Sequence, residues 1–296
     1  MSSLPASYPS PLELPFNHTA MADSFSFETP DRDPGGDGVW LLLRGSELLA
    51  CETAAGPALP EGDLPFGISK GAPLFIGHWQ GRPCRLLAVD REQALPDGFV
   101  AESLLAGDPR LPIELLSLGG LGGQILHWRR TGEHCSICGG GTEWIPGEWG
   151  KRCRECGYSH FPHIHPCAIV IVRRPGEVLL TRKAGWPEGR YSLVAGFVDF
   201  GECLEETVVR EVREETGVTV GNVRYVGSQG WPFPSQLMAG FTADYIAGEV
   251  QVEEKELEDV CWFSVDALPN LPPRRSIARY LIDRFARGET PDGTGF

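Results

Sequence analysis

No apolar run in this 296-residue chain approaches the ~18 residues that a membrane-crossing helix needs. The longest, Ala168-Ile169-Val170-Ile171-Val172, stops at Arg173-Arg174 and has the length of a strand. Positive charge is scarce as well: 26 Lys and Arg stand against 40 Asp and Glu, a net charge of −14. That balance argues against a general nucleic-acid binder, which needs a basic footprint. It leaves room for an enzyme with an anionic substrate, because bound cations can bring the positive charge. The opening residues, MSSLPASYPSPLELPF, carry no basic cluster ahead of an apolar stretch, and the closing GTGF is neither a peroxisomal nor an ER-retention signal. The expected location is the cytoplasm, with no membrane partner. A disorder-grade composition is also missing. The 37 Gly and 25 Pro stay below the share typical of low-complexity chains, and 42% hydrophobic residues can bury a core.

What is there begins with nine cysteines, an odd number that does not read as a disulfide framework. Four of them form two knuckles, Cys135-x2-Cys138 and Cys153-x2-Cys156, in the stretch CSICGGGTEWIPGEWGKRCRECG. A Cys-x-x-Cys turn points two thiolates at one ion, and Gly139 and Gly157 supply the permissive backbone that follows each pair. Two such turns predict a tetrahedral sulfur site, which suits one Zn²⁺. With four protein ligands and no open position, that zinc is expected to be structural. Cys51, Cys84, Cys167, Cys203 and Cys261 have no partner spacing and are expected as small buried apolar groups. His160, His163 and His165 fall in a loop, where a structural role is favoured over metal binding.

Residues 1–20 are rich in Ser and Pro and are expected to be disordered. From Val39 to Val100 short β-type runs are broken by turn signals. Leu74-Phe75-Ile76 and Arg85-Leu86-Leu87-Ala88-Val89 flank a Gly-Arg-Pro turn and predict a hairpin. Pro112 to Arg130 reads as helical but interrupted at Gly119-Gly120 and Gly122-Gly123. Beyond the knuckles, strands are expected at Ala168–Val172, Val178–Thr181, Val223–Val226, Phe241–Tyr245 and Val260–Phe263. Helices are expected at Glu202–Thr216, closed by Gly217, and at about Ser276–Arg287. This grammar predicts a mixed α+β or α/β layered fold. The expected divisions are an N-terminal domain over 21–130, a zinc ribbon over 131–166 and a third domain over 167–296.

Residues 196–218 read GFVDFGECLEETVVREVREETGV. At about 100° per residue, Glu211 and Glu215 lie nearly on one line of a helix, with Glu214 beside them. Val208, Val209 and Val212 fall on an adjacent stripe suited to packing on a sheet. Like charges at this spacing repel by a few tenths of a kcal/mol even when exposed. A helix tolerates them best with a cation between, and all-oxygen ligands favour Mg²⁺ or Mn²⁺. The planar fork of Arg210 can orient a carboxylate. A solvated acidic face is the bland alternative.

The stretch also fits G-x5-E-x7-R-E-U-x-E-E-x-G-U, with U aliphatic, at Gly196, Glu202, Arg210, Glu211, Val212, Glu214, Glu215, Gly217 and Val218. It thereby resembles the Nudix hydrolases. The resemblance implies an α/β/α sandwich whose loop–helix holds two or three Mg²⁺ or Mn²⁺ ions on a diphosphate. It makes Glu211 and Glu215 metal ligands with Glu214 close by, and adds the backbone carbonyl of Ala195. A further acidic ligand is expected beyond the box, with Glu256 preferred and Glu253 and Glu254 as rivals.

Downstream, Ser228-Gln229-Gly230-Trp231-Pro232-Phe233-Pro234-Ser235-Gln236 looks like the SQPWPFPxS signature of the NADH pyrophosphatase subfamily. A ribbon directly before the Nudix domain is that subfamily's arrangement too, with a smaller mixed N-terminal domain ahead of it. Two departures are visible: Gly230 stands in place of a proline, and Ser235-Gln236 in place of Gln-Ser. Proline-rich stretches with interleaved aromatics make rigid walls, so Gln229 to Gln236 are expected to line the substrate pocket. The resemblance makes Phe161 a stacking face for a base, where tyrosine is usual, with Phe197 as an opposing face. It assigns Ala278 a backbone contact to substrate, and Arg274 and Arg275 are candidate phosphate contacts.

These readings imply metal-dependent hydrolysis of the pyrophosphate of NADH or NAD⁺, with water, to AMP and nicotinamide mononucleotide. A 5′ NAD cap on RNA presents the same bond, and Lys151, Arg152 and Arg154 offer the ribbon local positive charge. The resemblance implies a homodimer. The rival expectations are a Nudix hydrolase of ADP-ribose, an ADP-sugar or a dinucleoside polyphosphate, and a non-catalytic nucleotide-sensing module.

Overall fold

A computed structural model describes residues 3–63, 72–253 and 255–289. The chain divides into two compact units. The first comprises Met1–Leu4, Pro15–Ile164 and Trp231–Ser235; the second comprises Pro5–Leu14, His165–Gly230 and Gln236–Phe296.

In the first unit the strands are β1 (Phe25–Phe27), β2 (Val39–Arg44), β3 (Glu47–Thr53), β4 (Gly56–Ala58), β5 (Leu74–Trp79), β6 (Arg82–Ala88) and β7 (Phe99–Ser103). They form one sheet in the order β1-β5-β6-β2-β3-β4, with β7 also on β3. The expected hairpin is β5–β6, antiparallel. Alternation on β2 sends Leu41 and Leu43 into one core and Leu42 into another, as a two-faced buried strand requires. Helix α1 (Ile113–Thr131) closes the first core with Leu115, Leu116, Leu118 and Ile125.

α1 runs without the break expected at its glycines. The reason is close approach. A Cβ on Gly122 would stand 2.6 Å from Leu41 Cδ2 and 3.0 Å from Leu86 Cδ1, and one on Gly119 would stand 2.6 Å from Leu104 Cδ2. These glycines let the helix sit down on the sheet.

The ribbon follows as β8 (Thr142–Trp144), β9 (Lys151–Cys153) and β10 (Ser159–His160). Expected as a domain of its own over 131–166, it falls within the first unit. Lys151 is no surface charge. It is 5% exposed, its Nζ donates to the carbonyls of Arg129 (2.8 Å) and Gly132 (3.2 Å), and it lies over the rings of Trp128 and Trp144. It therefore terminates α1, satisfying carbonyls that a helix end leaves open. Arg154, also offered as ribbon charge, pairs with Glu143 at 3.2 Å.

The disorder expected over 1–20 is corrected for the described residues from Ser3 onward. Pro11–Glu13 and His18–Met21 are 3₁₀ turns, the first capped by Ser10. Leu14 is 0% exposed in a core of the second unit, while Leu4 and Met21 belong to the core of the first. Isolated apolar residues in a Ser/Pro-rich segment carry no periodicity, so their anchoring is invisible locally.

The second unit holds β11 (His165–Arg174), β12 (Glu177–Arg182), β13 (Val194–Phe197), α2 (Leu204–Thr216), β14 (Thr219–Trp231, its last residue counted with the first unit), β15 (Gln236–Ala247), β16 (Asp259–Ser264) and α3 (Ile277–Phe285). The sheet order is β14-β15-β11-β12-β16, with β13 on β11. β11 and β15 run parallel. Ala168, Val170 and Val172 meet Val208 and Val212 of α2 on one face; Ile169 and Ile171 meet Ile277, Leu281, Ile282 and Phe285 of α3 on the other. A strand covered on both faces reads as an unbroken apolar run, which is why Ala168–Val172 shows no alternation. The result is an α/β/α sandwich. Val209, expected on the packed stripe, is 39% exposed, because the stripe is only wide enough for its neighbours.

Candidate active site

α2 is held at both ends. Cys203 is its N-cap, and its N–H donates to Glu206 Oε2 at 2.8 Å in a capping box. Cys203 is exposed, not buried as expected, because the cap position faces solvent. Gly217 closes the helix at φ +71° and its N–H donates to the Arg213 carbonyl.

Between these ends Arg210 is the hub. Its Nε and Nη2 donate to the two oxygens of Glu202 at 2.5 and 2.9 Å, Nη1 donates to Glu211 (2.9 Å) and Glu214 (3.0 Å), and Nη2 also donates to the Phe197 carbonyl (2.9 Å). The guanidinium, helped by the Asp199 N–H, holds the Glu202 carboxyl down at about 2. Gly196 has to be glycine: a Cβ there would run into the Glu211 carboxylate. Strand β13 therefore presses its backbone against the acidic edge of α2. Ala195, whose carbonyl the family resemblance puts among the metal ligands, is the preceding residue of that strand.

Glu215 is 3% exposed, and neither carboxylate oxygen has a hydrogen-bond partner among the described residues. Burial pushes its carboxyl up to about 7; the Lys183 ammonium opposes this, and the Glu211 and Glu256 carboxylates add to it. Burial also raises Glu211, against the pull of Arg210. Glu256 approaches from the loop before β16, its Oε2 4.0 Å from Lys183 Nζ. The structure thus brings Glu211, Glu215 and Glu256 into one electrostatic cluster, with Arg210 and Glu214 at its border. Its rival Glu253 is drawn into the local turn, where its carboxylate accepts from the Lys255 N–H at 3.2 Å; Glu254 lies outside the described residues. A buried carboxylate with no partner, facing two more, is a donor set that fits a divalent cation. Lys183 was missed by sequence reasoning; a single lysine after a strand carries no signal.

Of the expected pocket wall, Gln229 and Gly230 fall in the second unit and Trp231–Ser235 in the first. Gln229 is 0% exposed. Its amide accepts from the Ile277 N–H and donates to the Arg275 carbonyl, both at 2.7 Å, so it fixes the start of α3, where Ala278 sits. Trp231 and Phe233 form an edge-to-face cluster with Phe16, and Phe233 packs on the first core. Pro232 packs close to α1: a Cβ on Gly120 would stand 2.7 Å from its Cγ. Pro234 is exposed, Ser235 is buried and Gln236 opens β15. Phe161 of the first unit and Phe197 of the second are each about half exposed and offer open ring faces.

The Sγ atoms of Cys135, Cys138, Cys153 and Cys156 all lie within 4.8 Å of one another. The N–H groups of Cys156 and Glu155 aim at the Cys153 sulfur and lower its thiol to about 6. Four converging thiols with a thiolate-stabilising backbone fit a metal ion.

Residues 163–285 match the NUDIX domain family, and residues 37–128 match the NADH pyrophosphatase-like rudimentary NUDIX domain. A protein of Pseudomonas aeruginosa named NAD-capped RNA hydrolase NudC is 45% identical over 226 residues, 75% of this chain and 78% of that one. The chain belongs to the Nudix family, in its NADH pyrophosphatase branch. An Escherichia coli relative in the same branch, also named NAD-capped RNA hydrolase NudC, is 39% identical over 233 residues, 76% of this chain and 87% of its own length. Among solved Nudix structures, a NUDIX hydrolase from Nitrosomonas europaea aligns at 26% identity with a TM-score of 0.44, over 51% of this chain and 92% of that one. In this Nudix protein no helix among the described residues is long and apolar enough to cross a membrane.

Proposed function

We propose that the protein hydrolyses the pyrophosphate bond of NADH or NAD⁺, releasing AMP and reduced or oxidised nicotinamide mononucleotide, and that it acts on the same bond in NAD-capped RNA. The buried, partnerless Glu215 carboxylate beside Glu211 and Glu256 carries this reading, and the 39–45% identity to proteins named NAD-capped RNA hydrolase supports the substrate. Glu211, Glu215, Glu256 and the Ala195 carbonyl would hold Mg²⁺ or Mn²⁺. Bound there, such ions would supply charge neutralisation of the diphosphate and a more acidic water. The water oxygen bonds to one phosphorus and its proton passes to solvent, while the bridging P–O bond breaks and the second phosphate leaves with the electron pair. Arg210 keeps Glu211 and Glu214 in place through its fork. In the second unit the family resemblance assigns Gly230, Gln236, Ala278 and the half-exposed ring of Phe197 to substrate, and Gln229 fixes the α3 end where Ala278 sits; in the first unit it assigns Trp231–Ser235 and the half-exposed ring of Phe161. The cysteine cluster holds one structural Zn²⁺.

The protein is assigned to the cytoplasm and to a homodimer, the latter checked by light scattering on purified protein. The deciding experiment is Glu215→Gln with NADH and saturating Mg²⁺, with products separated by chromatography. Turnover should fall by roughly 100-fold or more, the scale of losing one group that stabilises transition-state charge. Wild-type turnover in this variant would refute the reading.

A further inference from the structure

Arg274 and Arg275 stand together before α3, yet the fold separates them: Arg274 is exposed and Arg275 is 5% exposed. Among the described residues the buried Nε and Nη1 atoms of Arg275 have no hydrogen-bond partner, and neither has the buried Nε of Arg190. Among the described residues neither arginine has a carboxylate at ion-pair distance. Among the described residues the buried arginines other than Arg275 do. Arg85, 8% exposed, grips both oxygens of Asp33 at 2.6 and 2.8 Å, and Arg173, 6% exposed, holds Asp244 at 3.0 Å.

Backbone pairing brings the two loops together. Arg190 bridges Asn270, the Tyr191 N–H donates to the Asn270 carbonyl, and the Asn270 N–H donates to the Gly189 carbonyl. Gln229 pins the Arg275 carbonyl, and the Arg190 guanidinium lies over the Trp186 ring at 5.7 Å. Burial, with the Arg190 charge adding to it, pushes the Arg275 guanidinium down to about 10, so it stays charged at neutral pH. A lysine can escape such a position by losing its proton, but an arginine does not. An uncompensated buried charge is costly, and a like charge beside it adds to the cost. The positive end of α3 begins two residues later and adds to the same field.

We infer that Arg190 and Arg275 form the seat of a phosphate-class oxyanion in the second unit. The planar donors of two guanidinium groups match the oxygens of a phosphoryl group. Two sources supply that chemistry: a phosphate carried by a nucleotide substrate, and free orthophosphate.

The test is calorimetric titration of the intact protein with orthophosphate in magnesium-free buffer, with ionic strength fixed by chloride. The wild type should bind saturably. Arg275→Met and Arg190→Met should each weaken binding by roughly tenfold or more, and Arg275→Lys should retain more than Arg275→Met. No saturable binding by the wild type, or equal binding by wild type and Arg190→Met, overturns the assignment. Arg190 is partly exposed, so its variant decides the matter if Arg275→Met does not fold. Inhibition of NADH hydrolysis by orthophosphate then separates the sources: competitive inhibition points to a substrate-borne phosphate, and noncompetitive inhibition to a free one. The titration does not depend on turnover, so it stands or falls apart from the hydrolytic assignment.

Discussion

At Glu215 one side chain couples stability to pH. Its carboxyl titrates near 7 in the fold, against 4.5 for an ordinary glutamate. Between those values the folded protein binds more protons than the unfolded chain. This group's contribution is therefore fully present below about pH 4.5 and is lost as pH rises through 7. The expected loss is up to about 3 kcal/mol in magnesium-free buffer. Urea unfolding across that range should show the decline in the wild type and a flattened profile in Glu215→Gln. Added Mg²⁺ should restore stability to the wild type alone above pH 7. In the sequence the spacing of Glu211, Glu214 and Glu215 was legible because a helix has a fixed period. The burial of Glu215 was not, since the helical period says nothing of what packs over each position.

Helix α1 and the ribbon show the same division at the scale of elements. The glycine pairs of α1 read as breaks because glycine weakens isolated helices; only the neighbouring leucines reveal that one face needs them. The two faces should respond with opposite sign. Gly122→Ala drives a methyl into Leu41 and Leu86, both 0% exposed, and should cost about 1 kcal/mol net. Gly123→Ala meets nothing within 4 Å and should stabilise by up to about 1 kcal/mol. Thermal unfolding of the two variants checks this. The cysteine knuckles, by contrast, were fully legible, because a tight turn dictates its own spacing. Cys153→Ser should abolish zinc retention, measured by metal analysis of purified protein, and lower the melting temperature.

At the scale of the whole molecule, motif boundaries and compact units do not coincide. The box, the signature and the knuckles are local patterns and were legible. The assignment of Pro5–Leu14 to the second unit was not, because nothing in a Ser/Pro-rich stretch says which distant core its leucine joins. Leu14→Ala should therefore destabilise the second unit by about 3 kcal/mol, the usual cost of emptying a leucine site. Denaturant midpoints followed by a probe in that unit test it.

Because each unit takes a short segment from the far side of residue 164, a single cut there leaves both fragments incomplete. The stretch that begins at His165 bears every member of the acidic cluster, yet it cannot be lifted out as a cassette. Anyone grafting this chemistry onto another scaffold would have to carry the Leu14 segment along, or redesign the hole it leaves.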